Sequence, residues 1–146
     1  MKEAGFPDPS EGALVTLFLT VADVARSVAF YSDVLGGSVI RKADPATVRL
    51  FNAWIVMNPG GGPTPDKPGI TLAVPDRADR VSSFLNLRVA DIDEYYRLWT
   101  RRGATFLTAP IKNVDEVRCY MRDPDGYLIE VGQSIGENSA ERDKGR

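Results

Sequence analysis

The chain contains no histidine. Imidazole is the commonest ligand for zinc, nickel and iron and the commonest general base near neutral pH, so any chemistry here rests on other groups. Cysteine is nearly absent as well: the single Cys119 excludes an intrachain disulfide and a cysteine-rich zinc site. No apolar run approaches the roughly 20 residues that span a bilayer, and residues 1–12 lack the charged-then-apolar layout of a secretory signal. The expectation is a cytoplasmic protein with no membrane partner. Positive charge is not in excess either, because 18 Lys and Arg face 20 Asp and Glu and the signs alternate along the chain. That excludes the basic footprint of a nucleic-acid binder. What remains is ordinary: 146 residues, 43% hydrophobic and 26% charged, enough for one globular domain with a sizeable core.

An internal repeat organises the chain. Leu17-Phe18-Leu19-Thr20-Val21-Ala22-Asp23-Val24 returns 68 residues later as Leu85-Asn86-Leu87-Arg88-Val89-Ala90-Asp91-Ile92. Both copies run on into a helical pattern with aromatics at Phe30-Tyr31 and Trp99, break at Gly36-Gly37 and Gly103, and resume as β-prone segments at 38–40 and 105–107. A period this long means two copies of one supersecondary unit. In the first, period-two alternation predicts a strand at 14–21, Asp23 as N-cap, and a helix over 24–35 with the apolar stripe Val24, Val28, Tyr31 and Leu35. Strands are expected at 38–42, 47–57 and 69–74, the last two separated by a Pro/Gly-rich loop at 58–68. The second copy predicts strand 83–89, Asp91 as N-cap, helix 92–102, and strands 104–108, 116–122 and 127–132. Asp123-Pro124-Asp125-Gly126 supplies the turn between the last two. The class is therefore α+β, with two tandem βαβββ modules at 14–75 and 83–133 in one domain, flanked by polar segments at 1–13 and 134–146.

Two motifs carry a family resemblance: Val21-x-Asp23-Val24-x-x-Ser27-x-x-Phe30-Tyr31-x-x-Val34-Leu35-Gly36 and Asp123-Pro124-Asp125-Gly126-x-x-x-Glu130. With the tandem modules they resemble the vicinal-oxygen-chelate superfamily of glyoxalases, bleomycin-resistance proteins and extradiol dioxygenases. The resemblance implies a cupped half-barrel of mixed sheet, a homodimer, and a site for a divalent metal and a small oxygen-bearing substrate. The metal ligands it implies lie seven residues before each cap aspartate, on the fourth strand, and at the glutamate after Asp-Pro-Asp-Gly. Here those first-strand positions are Thr16 and Phe84, the expected fourth strand Ile70–Val74 has no carboxylate, and only Glu130 matches. One monodentate carboxylate falls far short of a catalytic zinc site or of the roughly six oxygens around magnesium. The expectation is a member without a metal or other cofactor.

Alternation turns Thr16, Phe18, Thr20, Phe84, Asn86, Arg88, Leu128 and Glu130 away from the helices and toward the implied cup, with Trp54, Tyr120 and Arg122 on bordering strands. Such a lining suits a small organic molecule, anionic or carbonyl-bearing. Arg88 then holds a ligand oxygen while Glu130 acts as general base or acceptor; the opposing reading is that these two pair with each other. Trp54, Tyr120 and Arg122 read as sheet packing before a wall for a planar ligand. Asp23 and Asp91 read as caps before an acid-base pair. Cys119, with no histidine to activate it, reads as a buried small hydrophobe. The run Gly60-Gly61-Gly62 lacks the Lys-Ser/Thr of a phosphate loop and reads as a lip beside the cup. Three functions compete: a metal-independent binding protein of the bleomycin-resistance type, a lyase or isomerase acting next to a carbonyl with Glu130 as base and Arg88 or Asn86 steadying the oxyanion, and an interaction module whose cup is filled.

Overall fold

The computed structural model describes residues 7–42 and 44–136, so most of the two expected tails lies outside the described residues. The chain separates into two compact units between Asp76 and Arg77. Among the described residues no helix is long and apolar enough to cross a membrane.

The first unit runs β1 (Leu17–Thr20), α1 (Val24–Ala29), a π-helical turn (Phe30–Val34), β2 (Ser38–Arg41), β3 (Ala46–Leu50) and β4 (Ala53–Asn58). Its sheet has the order β1-β4-β3-β2, with β1 parallel to β4 and the other pairs antiparallel. Asp23 caps α1 as expected, its Oδ1 accepting from Arg26 N at 3.1 Å. Val28, Tyr31 and Leu35 turn inward and bury against Val48, Ile55 and Met57 of the sheet. Each fully buried side chain of this size contributes roughly 1.5–3 kcal/mol.

Three expectations need correction here. The strand expected at 47–57 is a hairpin, β3 and β4, reversing at Phe51-Asn52. Phe51 takes φ 52, a left-handed conformation that a bulky residue rarely adopts, and Arg49 Nε steadies it by donating to Phe51 O at 2.9 Å. The strand expected at 69–74 does not form, since β3 and β4 already complete the module; only an isolated bridge joins Gly61 to Leu72, and Ile70 stays 54% exposed. The helix expected over 24–35 changes type at Phe30, where Leu35 N bonds to Phe30 O, five residues back, at 3.1 Å. The loop at 58–68 is pinned by its own bonds: Gly60 N donates to Asn58 Oδ1 at 2.8 Å, and Lys67 Nζ donates to Gly62 O at 2.6 Å.

The second unit follows the expected order closely: β5 (Leu85–Arg88), α2 (Ile92–Arg101), β6 (Thr105–Phe106), β7 (Ile111–Lys112), β8 (Glu116–Arg122) and β9 (Leu128–Ser134). The sheet order β5-β9-β8-β6 repeats that of the first unit, β5 lying parallel to β9, with the short β7 added on β8. Strand β9 continues to Ser134, so the sheet extends past the expected end at 132 and takes in the first residue assigned to the tail. Asp91 caps α2 through Glu94 N at 3.1 Å. In the predicted turn Asp123 Oδ1 accepts from both Asp125 N and Tyr127 N at 2.9 Å, which shapes the tight reversal into β9. Trp99, Ile92, Cys119, Met121, Ile129 and Val131 form this unit's core. The chain is thus an α+β protein of two βαβββ modules.

Candidate functional site

Because α2 covers one face of the second sheet, the alternate residues of its strands define the other. Register places Asn86 opposite Glu130, Tyr120 opposite Glu130, Arg88 opposite Gly132, Arg118 opposite Gly132, and Arg122 opposite Leu128. The residues singled out in the sequence, Asn86, Arg88, Tyr120, Arg122, Leu128 and Glu130, therefore share a face, and Phe84 joins them through an edge contact with the Tyr120 ring, centroids 6.0 Å apart.

Glu130 is the centre of that face and is only 6% exposed. Tyr120 Oη donates to its Oε2 at 2.9 Å, Asn86 Nδ2 donates to Oε1 at 3.4 Å, and Arg88 Nη1 stands 3.5 Å from Oε1. A carboxylate removed from water needs such partners, and here the two neighbouring strands β5 and β8 supply them. The hydrogen bond to Glu130 holds the Tyr120 hydroxyl above its ordinary pKa, with burial adding to the effect. Arg88 reaches this position because Gly132 has no side chain: a Cβ there would collide with the guanidinium. Its Nη2 stands 3.2 Å from Glu116 Oε2 and donates to Ser134 Oγ at 3.1 Å. Arg118 Nη1 completes the row by donating to Glu116 Oε1 at 3.0 Å, a contact that keeps the Arg118 pKa above its usual value. Arg122 turns aside and donates to Gly126 O at 3.1 Å.

Arg88 and Glu130 thus pair, as one of the two sequence readings held, but the pairing does not remove Arg88 from solvent. Its side chain is 41% exposed while that of Glu130 is 8% exposed. A guanidinium carries five N–H donors, more than its named partners use, so the arrangement presents an oriented, partly hydrated cation beside a protected carboxylate.

The corresponding face of the first unit carries the other candidates. Thr16 and Phe18 are exposed, Thr20 is buried, and Trp54 is half-buried under the Arg49 guanidinium, 4.8 Å from the ring centroid. Phe18 pairs with Val56 as Asn86 pairs with Glu130, so Val56 is the counterpart of Glu130. Thr47, opposite Val56, is fully buried and its Oγ1 has no hydrogen-bond partner.

Sequence reasoning missed Glu116, Arg118, Gly132 and Ser134, although alternation carried two more steps along each strand from Tyr120 and Glu130 reaches all four. Cys119 faces the helix side, 2% exposed, and burial pushes its thiol from 9.0 to about 11, with Asp93 adding to the shift. That is the character of a core residue.

The donor set does not fit a resident metal. Of the four positions the resemblance implied, with the fourth strand corrected to β4, Val56 and Phe84 have no donor atom, and the Glu130 carboxylate already meets Tyr120, Asn86 and a cation. Among the described residues no group of three His, Cys, Asp or Glu side chains could hold a metal ion.

A lactoylglutathione lyase of Escherichia coli O157:H7 is 28% identical over 139 residues, spanning 90% of this chain and 98% of its own. A virulence protein of Salmonella typhimurium is 27% identical over 126 residues, spanning 82% of each chain. Among solved structures, an antibiotic-binding protein from a Streptomyces species superposes with a TM-score of 0.60 at 18% identity, covering 88% of this chain and 100% of that one. The model of the Glyoxalase/Bleomycin resistance protein/Dioxygenase superfamily matches residues 13–131, and with the repeated βαβββ topology this establishes that the chain belongs to that superfamily.

Proposed function

We propose that the chain is a metal-independent small-molecule-binding protein of the glyoxalase/bleomycin-resistance type, taking an anionic or carbonyl-bearing organic ligand. The observation that carries this reading is Arg88. Its guanidinium is oriented by Glu130, Glu116 and Ser134, laid over Gly132, and left 41% exposed on the face opposite α2. Orientation before binding reduces the entropy lost on binding, and charge-assisted contacts to a carboxylate or polarised carbonyl oxygen contribute about 1.5–3 kcal/mol each. Phe84 and Tyr120 supply an aromatic surface beside it. A second copy of the chain, expected from the resemblance, is checked in the same preparation by sedimentation.

The test is calorimetric titration with a panel of small aromatic and aliphatic carboxylates and ketones, with and without EDTA. Binding is expected to be indifferent to chelator and to weaken at least 10-fold in Arg88→Met, from the loss of one charge-assisted contact. Binding that requires added metal, or that is unchanged in Arg88→Met, would overturn the proposal.

A second reading, a lyase or isomerase with Glu130 as general base, draws on the relatives named lactoylglutathione lyase. Against it, the Glu130 carboxylate is already engaged by Tyr120 Oη and Arg88. Turnover that survives EDTA and disappears in Glu130→Gln would favour this second reading over simple binding.

A further inference from the structure

A groove of about 350 Å³ lies on the other side of the first sheet, between α1 with its π-helical turn and β2. Ala25, Val28, Ala29, Ser32 and Val39 line it, with Asp33 and Lys42 among its walls. Every one of these residues belongs to the first unit, and none is on the sheet face that carries Phe18 and Trp54.

The second unit shows what this groove lacks. Counting from the two cap aspartates, Val28 corresponds to Tyr96, Ala25 to Asp93 and Ala29 to Arg97. On the neighbouring strand, Ser38 and Val39 pair with Arg49 and Val48 as Thr105 and Phe106 pair with Arg122 and Met121, so Val39 corresponds to Phe106. In the second unit the Tyr96 and Phe106 rings meet edge to face, centroids 4.8 Å apart, and occupy the space between helix and edge strand. In the first unit both partners are valines, and the helix adds only the methyl groups of Ala25 and Ala29. The helices differ at the same place: α2 is regular over ten residues, whereas the first helix widens to five-residue hydrogen bonding at Phe30–Val34, which sets Ser32 and Asp33 at the rim. π-helical turns occur frequently at functional sites.

The geometry points to a second binding site in this groove, one that takes a small molecule bearing a single aromatic ring and, at one end of it, both an ammonium group and a carboxylate, the chemistry of a free aromatic amino acid. The ring fills the volume that Tyr96 and Phe106 fill in the other unit, and the floor of Val28, Val39 and alanine methyls is apolar, as ring burial requires. The volume lies at the lower end of the range for small-molecule sites, which suits a ligand of one ring and excludes a large one. Asp33 and Lys42 provide the opposed charges that an amphoteric ligand matches and that a purely anionic or cationic one matches only by half.

The test uses the full chain, isotope-labelled, and free L-phenylalanine as probe. At ~10 mM, where a site of millimolar dissociation constant is mostly filled, saturable shifts are expected in the amides of Ala25, Ala29, Val39 and Lys42. Phenethylamine and hydrocinnamate, each lacking one charged group, are expected to bind roughly 3- to 5-fold more weakly, as for partly exposed ion pairs. The double variant Val28→Tyr with Val39→Phe copies the filled groove of the second unit and is expected to abolish the shifts; Ala29→Leu blocks the same space should the double variant not fold. Absence of saturable shifts in the unaltered chain overturns the proposal, as does binding that survives both blocked variants. Shifts of these same amides on raising protein concentration alone, without L-phenylalanine, also overturn it, because they assign the groove to a contact between copies.

Discussion

The two units share a strand order, a register and capped helices, and yet set opposite chemistry on equivalent positions. Where the second unit has Asn86, Arg88, Tyr120 and Glu130, the first has Phe18, Thr20, Thr47 and Val56. The second sheet's outer face is a network of ion pairs and hydrogen bonds; the first is apolar or neutral, with one fully buried hydroxyl unsatisfied. On the helix side the contrast reverses in kind, with the second unit packed by Tyr96 and Phe106 and the first left with a groove. The shared backbone is therefore maintained by a common buried set such as Tyr31 and Trp99, while the outer face and the margin of the helix layer specialise. Fold and site are separable properties of one topology.

The sharpest way to break the comparison is to attack what the units have in common. Tyr31 and Trp99 occupy equivalent positions and are 1% and 0% exposed. Trp99→Ala is expected to cost about 4 kcal/mol by chemical denaturation. Trp99→Phe should cost less than half as much, because the buried Trp99 Nε1 makes no hydrogen bond that could be lost. The next largest effect comes from making the second unit resemble the first. Glu130→Val removes the acceptor shared by Tyr120, Asn86 and Arg88, and is expected to destabilise by about 2 kcal/mol, moderated because Arg88 is partly hydrated and keeps Glu116. A cost indistinguishable from zero would show the network to be ornamental to stability.

Alkaline titration sharpens the same contrast. The thiol of Cys119 is neutral in the fold up to about 11 but ionises near 9 when unfolded, so the unfolded state binds fewer protons between those values. Stability is then fully present below about pH 9 and falls as pH rises toward 11. Tyr120, also raised, bends the curve in the same direction. Cys119→Ala should flatten this limb in a pH series of denaturation midpoints. The smallest effect is Gly132→Ala. The added methyl group meets only the end of a flexible guanidinium, so stability should change by less than about 1 kcal/mol while Arg88 swings off the strand, read as loss of the ligand affinity proposed above for Arg88.

Much of this was legible in the residues. Asp23 and Asp91 announce two helix starts, Asp123 announces the turn, and the 68-residue repeat announces two modules, because caps and turns are local and need no tertiary context. The hairpin at Phe51-Asn52 was not, since neither residue is the glycine that a left-handed turn position favours, and its one mark is a change of phase in the inward positions, from Val48 and Leu50 to Ile55 and Met57. The π-helical turn has no sequence mark at all. At the candidate site, period-two spacing grouped Asn86, Arg88 and Glu130 correctly on a face, but whether Arg88 pairs, lies free or does both depends on Gly132 in a neighbouring strand, and pairing across strands is set by register that a single sequence does not state.

The parallel contact between the first and last strand of each module has a consequence for connectivity. Since β1 lies against β4 and β5 against β9, each sheet is complete before the chain leaves it, and among the described residues every strand pair falls within one unit. The longest loop that either sheet must close is the one from β5 to β9, well short of the whole chain, which keeps the entropy of forming the ladders small. The segment around Asp76 and Arg77 then carries no strand pairing, and a longer tether could be spliced in there without altering either ladder.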